Sequence, residues 1–137
     1  MLATVTVTFL LNANDCILES PDRVNDIKKI INEVDILFTQ YSYANWVEGD
    51  AIDDGQRKKL AEEKLRRIKM QSEILSPKFI VPFASMVRFC HKENSYMNDS
   101  INTPRTTVDF INATTASKPF LMVPYEKWDG QFSKDNE

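Results

Sequence analysis

Glycine is scarce in this sequence, with only Gly49, Gly55 and Gly130 among 137 residues. A loop that cradles phosphate in the dinucleotide or P-loop manner needs several closely spaced glycines for its backbone turns, so that mode of nucleotide binding is excluded. Histidine is represented once, by His91. The cysteines Cys16 and Cys90 are too few and too far apart for a zinc knuckle or a CxxC redox motif. The opening MLATVTVTFLL has neither a basic leader nor a long apolar run, so no signal peptide or membrane anchor is expected. Reduced cysteines in a cytoplasmic protein are the matching expectation. Asn98-Asp99-Ser100 and Asn112-Ala113-Thr114 fit the glycosylation pattern, which carries little meaning without a secretory route.

A strong charge imbalance is also missing. The formal net charge of −3 gives no reason to expect nucleic acid or an anionic membrane as partner. Charge is nevertheless uneven along the chain: Arg57, Lys58, Lys59, Lys64, Arg66, Arg67 and Lys69 face only Glu62 and Glu63, which leaves 7 − 2 = +5 over positions 57 to 69. This segment reads as a solvated helix face. Hydrophobic residues at 42% and charged residues at 27% are ordinary for a globular chain and argue against disorder throughout. The length fits one α/β domain over 1–128, followed by a flexible C-terminal tail over 129–137.

The order of elements is legible from periodicity. Thr4 to Leu11 is β-branched and partly alternating, and it ends in the turn-forming NANDC, after which Ile17 and Leu18 can resume a strand. Ser20-Pro21 reads as an N-cap with proline at the first helical position, and Val24, Ile27, Ile30, Ile31 and Val34 predict a helix over 22–32. DILFT, Asp35 to Thr39, is a compact strand of the kind buried on both faces. A helix over 56–75 follows from Ala61, Leu65, Ile68, Ser72 and Leu75, with Glu62–Arg66 and Glu63–Arg67 as i,i+4 pairs and Ser76-Pro77 as its stop. Strand, helix, strand in this order predicts a right-handed crossover between parallel strands. Past Asn94 a polar loop is expected, then a short helix capped by Thr103-Pro104, a last strand over 119–123, and Trp128 as an anchor.

Two stretches are candidates for function. QYSYANWVEGDAIDDG follows the DILFT strand, where α/β folds place ligands, and Tyr41, Tyr43 and Trp46 either hold a ligand there or plug the end of the core. FIVPFASMVRFCHKEN, Phe79 to Asn94, looks like a buried strand delivering its end into a polar site that contains His91 and Asn94. His91 is a ligand or a surface residue on that pattern. Nucleophilic catalysis gains little support, because Cys90 and His91 are sequence neighbours and would point to opposite faces of a strand. Asp53-Asp54 and Glu62-Glu63 are explained by solvation and helix pairing.

NANDC, DILFTQYSYANW and PKFIVPFASMVRFCHKENSYMND, in this order, resemble the C-terminal half of a metallo-β-lactamase-fold hydrolase, as found among bacterial metal-dependent hydrolases, with a looser similarity to CMP-N-acetylneuraminate hydroxylase. The similarity runs from about Thr6 to Trp128. It implies half of an αβ/βα sandwich: one small mixed sheet with helices on one face. Asp15 then matches the acidic ligand that bridges two metals, and His91 lies near the last histidine ligand, whose usual place is closer to Ala84 or Ser85. Relatives carry a His-x-His-x-Asp-His signature in the other half, which a chain with one histidine lacks. A hydrolytic zinc takes three protein ligands and an open position for water, so Asp15, His91 and Cys90 are not an adequate set.

The resemblance therefore implies no catalytic residue and no required cofactor in the isolated chain, with zinc or iron entering only if another chain completes the site. It also implies a sheet face left apolar by the missing half, and a homodimer through that face as the natural repair. The expected function is a dimeric binding or accessory protein. The alternative is a hydrolase completed by a complementary chain that brings the histidines. The initiating methionine and acidic end are compatible with a complete short protein.

Overall fold

A computed structural model describes residues 7–44, 53–123 and 125–127, so the tail over 129–137 and the Trp128 anchor lie outside the described residues. The chain is α/β. Strands β1 (Leu10–Asn12), β2 (Ile36–Thr39), β3 (Phe79–Pro82) and β4 (Lys118–Pro119) alternate with helices α1 (Pro21–Ile31), α2 (Asp54–Leu75) and α3 (Pro104–Thr114). A 3-10 helix over Ser95–Ser100 occupies the stretch expected to be a polar loop. Ile17 and Leu18 do not resume a strand, because the backbone is already turning toward Ser20.

The sheet runs β1-β2-β3-β4, and every pairing is parallel, with Ile36 opposite both Leu10 and Phe79, and Phe79 opposite Lys118. The antiparallel component of a mixed sheet is thus absent among the described residues. The physical reason is that a helix intervenes between each pair of neighbouring strands, and helical crossovers return the chain in the same direction. Because the order never reverses, right-handed crossovers place all the helices on one face. The packing agrees: α1 lies on α2 and α2 on α3. Val24 of α1, Ile68 and Leu75 of α2 and Ile111 of α3 share one core with Leu37 and Ile80 of the sheet.

Local chemistry explains the boundaries. Ser20 and Pro21 start α1, although the serine hydroxyl makes no capping bond. Asp53 caps α2 by accepting from the Gln56 N–H at 2.8 Å, and Ser76 ends it in a left-handed conformation (φ 52°) just before Pro77. Thr103 and Thr106 cap α3 reciprocally, which satisfies two otherwise orphaned backbone donors. Of the two expected pairs on α2, Glu63–Arg67 closes at 2.8 Å.

Buried polar contacts tie helices to sheet. Gln71 of α2 is 1% exposed; its amide oxygen accepts from the Thr39 hydroxyl at 2.8 Å and its amide nitrogen donates to the Leu18 carbonyl at 3.0 Å. Ser72 and Ser117 hydroxyls meet at 3.0 Å, and Ser117 donates to the Pro77 carbonyl at 2.6 Å. At the start of β2, the Asp35 carboxylate accepts from the Phe9 N–H at 2.9 Å and pairs with Lys78 at 2.6 Å, which aligns the N-terminal ends of β1, β2 and β3.

Among the described residues no helix lies on the opposite face of the sheet. Alternation along β2 and β3 turns Ile36, Phe38 and Val81 toward it, away from Leu37 and Ile80. Its centre is closed, with Ile36 and Val81 buried. Toward the C-terminal strand ends it opens: Phe38 and Phe83 meet edge to face at 5.7 Å beside a hollow of about 490 Å³, and Phe83, Met86 and Val123 are exposed around it. Among the described residues no helix is long and apolar enough to cross a membrane.

Candidate functional site

The C-terminal ends of β1, β2 and β3 meet at a polar cleft of about 250 Å³. From β1 comes the NANDC turn. The Ala13 N–H donates to the Phe38 carbonyl at 2.8 Å, and the Asn12 side-chain oxygen accepts from the Asn14 N–H at 3.0 Å, an Asx turn that bends the chain sharply. Asp15 follows in the left-handed region (φ 56°), which Asp tolerates better than most side chains. Its carboxylate oxygens are held separately, one by the Gln40 amide at 3.1 Å and the other by the Asn14 amide at 3.3 Å. Gln40 also donates to the Asn14 side chain at 2.8 Å, so one residue after β2 fixes the whole turn after β1.

The segment after β2 is clamped from beneath. The Tyr41 N–H donates to the Ser85 hydroxyl oxygen at 3.0 Å. Asn102 donates its amide to the carbonyls of Tyr41 and Ala61, each at 2.7 Å, and its backbone N–H to Ser42 Oγ at 3.0 Å. Tyr43 is buried, donates its hydroxyl to the Met97 carbonyl at 2.6 Å and packs on Phe89. Tyr41 is 1% exposed, and its hydroxyl finds no partner among the described residues. Burial pushes both phenols above their ordinary range.

After β3 the chain passes Ala84, also left-handed at φ 55°, and runs to a second cluster. There Asn98 mimics a strand partner, accepting from the Phe89 N–H at 2.9 Å and donating to the Phe89 carbonyl at 2.8 Å. His91 is exposed in the turn that follows, and its carbonyl accepts from the Asn94 N–H at 3.1 Å. Asn94 is half-buried, and its side-chain oxygen has no partner among the described residues.

Of the residues singled out by sequence, the cleft therefore brings together Asp15 and Tyr43. Tyr41 borders the apolar hollow instead, His91 and Asn94 sit outside both, and Trp46 lies outside the described residues. Cys16 and Cys90 are free and exposed, and Cys16 lines the cleft. Among the described residues no three or more His, Cys, Asp or Glu side chains converge as a metal site. With Asp15 as the one donor of the resemblance in the cleft, the described residues do not fit a hydrolytic zinc centre.

Sequence reasoning missed Gln40, Asn102, Lys64 and Arg67. The last two belong to the basic run, but they are not solvated in the manner expected of it. Arg67 is 10% exposed and pairs with Glu19 at 2.9 Å as well as with Glu63, and Arg57 is 11% exposed and lies 5.2 Å from the Tyr96 ring. Lys64, one turn before Arg67, is half-buried in the cleft wall. Its position beside Ala61 and Ile68 on the helix was the available signal. Comparison of the chain with protein-family models, curated proteins and solved structures returns no match.

Proposed function

We propose that this chain is a half-domain derived from a metallohydrolase of the bacterial type it resembles, non-catalytic by itself, which pairs with a second copy through the helix-free face of its sheet and acts as a cytoplasmic binding or accessory protein. One observation carries this reading: the hollow of about 490 Å³ on that face, with Phe83, Met86 and Val123 exposed beside Phe38. Apolar surface left in water costs about 25 cal/mol per Å², and a stable interface removes about 800 Å² per partner. A symmetric pair buries the same patch twice. Light scattering at micromolar concentration tests the reading: a dimer is expected, and Phe83→Glu should shift it to monomer without loss of helical signal. A wild-type monomer under those conditions overturns it.

A second reading is supported by Asp15. Its left-handed turn leaves the carboxylate exposed at the cleft, where a separate chain bringing histidines would complete a metal site. Elemental analysis discriminates. Zinc or iron held stoichiometrically, and lost in Asp15→Asn, would favour the completed hydrolase over the accessory protein.

A further inference from the structure

We propose that the polar cleft at the ends of β1, β2 and β3 binds a small organic anion, its negative group held by Lys64 and by the cationic edge of Arg67. This goes beyond the pairing proposed above and does not depend on it, since the cleft is formed by residues of one chain.

The geometry supplies an ammonium group that, among the described residues, has no carboxylate in direct contact, although Glu19 and Glu63 lie near it. Arg67 is nine-tenths buried and spends one guanidinium nitrogen on both Glu19, at 2.9 Å, and Glu63, at 2.8 Å, while its Nε is buried with no acceptor among the described residues. Lys64 lines the same cleft and, among the described residues, has neither an ion pair nor a hydrogen bond. A half-buried ammonium next to a guanidinium is unfavourable unless a negative group contacts it directly, and Glu19 and Glu63 each spend a carboxylate oxygen on Arg67. In agreement, burial first and the Arg67 charge second hold the Lys64 pKa below its ordinary value, with Glu63 and Glu19 only partly opposing them. An anion in the cleft would supply what Lys64 lacks.

The rest of the lining narrows the ligand. Asp15 and Glu19 present carboxylates to the same space, so a polyanion would be repelled. Ser42 adds a hydroxyl, and the volume of about 250 Å³ is small. A carboxylate or phosphate ester that also carries hydroxyl or amino donors fits this lining, with its charge toward Lys64 and its donors toward Asp15. The position agrees with the general placement of ligands at the carboxyl ends of parallel strands.

The probes are inorganic phosphate, which carries the charge alone, and phosphoethanolamine, which adds an ammonium donor, titrated into chelator-treated protein at low salt and followed by amide NMR shifts. Saturable shifts confined to residues around Lys64, Arg67 and Ser42 are expected, with phosphoethanolamine binding the tighter of the two. Lys64→Met should weaken binding roughly tenfold or more, as loss of a hydrogen bond to a charged group does. Lys64→Arg should retain binding, and Lys59→Met, an exposed site on the same helix, should leave it unchanged. The chelator keeps the outcome independent of any metal. Shifts spread evenly over surface lysines, no saturable binding of either probe, or equal affinity in a folded Lys64→Met protein would overturn the proposal.

Discussion

Replacing Gln71 by leucine would separate the contribution of buried polar tethers from that of the apolar core. Gln71 lies near the C-terminal end of α2 with 1% exposure, and leucine is of similar size. What disappears is a bridge: the Thr39 hydroxyl loses its acceptor and the Leu18 carbonyl loses its donor, both inside the core. Each orphaned group costs about 1–3 kcal/mol, and some of this is returned by the added apolar burial, so a net loss of about 2–4 kcal/mol is expected. Against a total stability of about 5–15 kcal/mol this is large. With a urea slope of about 1–3 kcal/mol per molar, the midpoint should fall by about 1–2 M at unchanged slope. Thr39→Val in the same background removes one orphan, so the double variant should be more stable than the sum of the single losses, by about 1 kcal/mol. A loss below about 0.5 kcal/mol for Gln71→Leu, or strict additivity with Thr39→Val, would refute the reasoning.

The two tyrosines after β2 should behave oppositely under the same urea assay. Tyr43→Phe removes a hydroxyl that satisfies the buried Met97 carbonyl and should cost about 1–2 kcal/mol, whereas Tyr41→Phe removes a hydroxyl that has no partner among the described residues and should be neutral or stabilising. Equal losses would show that the Tyr41 hydroxyl has a partner. The Asp35 carboxyl is held below its ordinary 3.8 by the hydrogen bond from Lys78 first and by the Phe9 N–H second. As pH falls, the unfolded chain therefore takes up this proton before the folded one does. The stability it provides is complete above the unfolded value of about 3.9 and is lost as pH falls through the lower folded value. Urea midpoints between pH 5 and pH 2 should decline less steeply in Asp35→Asn than in the wild type, and identical slopes would sink the assignment.

Elements set by local pattern were legible in the sequence, and contacts made between distant segments were not. The stripe Ala61, Ile68, Ser72, Leu75 and the stop at Ser76-Pro77 gave α2 within two residues of its start, because helical periodicity and capping are local. The parallel relation of β2 and β3 followed from the helix between them. The mixed sheet did not follow, since it rested on the resemblance, whereas the described strands obey their connections. The site was legible only in part. Asp15 was placed at the end of a turn by NANDC itself, but its support by Gln40 spans 25 residues and has no local signature. Asn102 is similar: it lies in an unremarkable stretch, yet its amide joins the carbonyls of Tyr41 and Ala61. The basic run misled because charge count says nothing about depth, and Arg67 and Lys64 sit on the flank of α2 that turns toward the strand ends.

The monotonic strand order explains why the molecule has two unlike surfaces at the same end. Doubly wound sheets reverse their order, cover both faces with helices and open a crevice at the reversal. Here the described strands never reverse, so among the described residues one face carries no helix and no crevice arises from topology. The polar cleft is instead made by side chains of α2 that reach over the ends of β1 and β2, and the apolar hollow by the uncovered face of β2 and β3. The two are not independent. Ala84 borders both, and it stands in a left-handed conformation that costs a non-glycine residue about 1–2 kcal/mol, so its surroundings must hold it there. Ser85, next to it, accepts from the Tyr41 N–H and thereby joins the end of β3 to the end of β2. A partner pressed onto the Phe83 side of this turn and a ligand seated on its Lys64 side would act on the same strained link, so occupancy of one surface should alter affinity at the other.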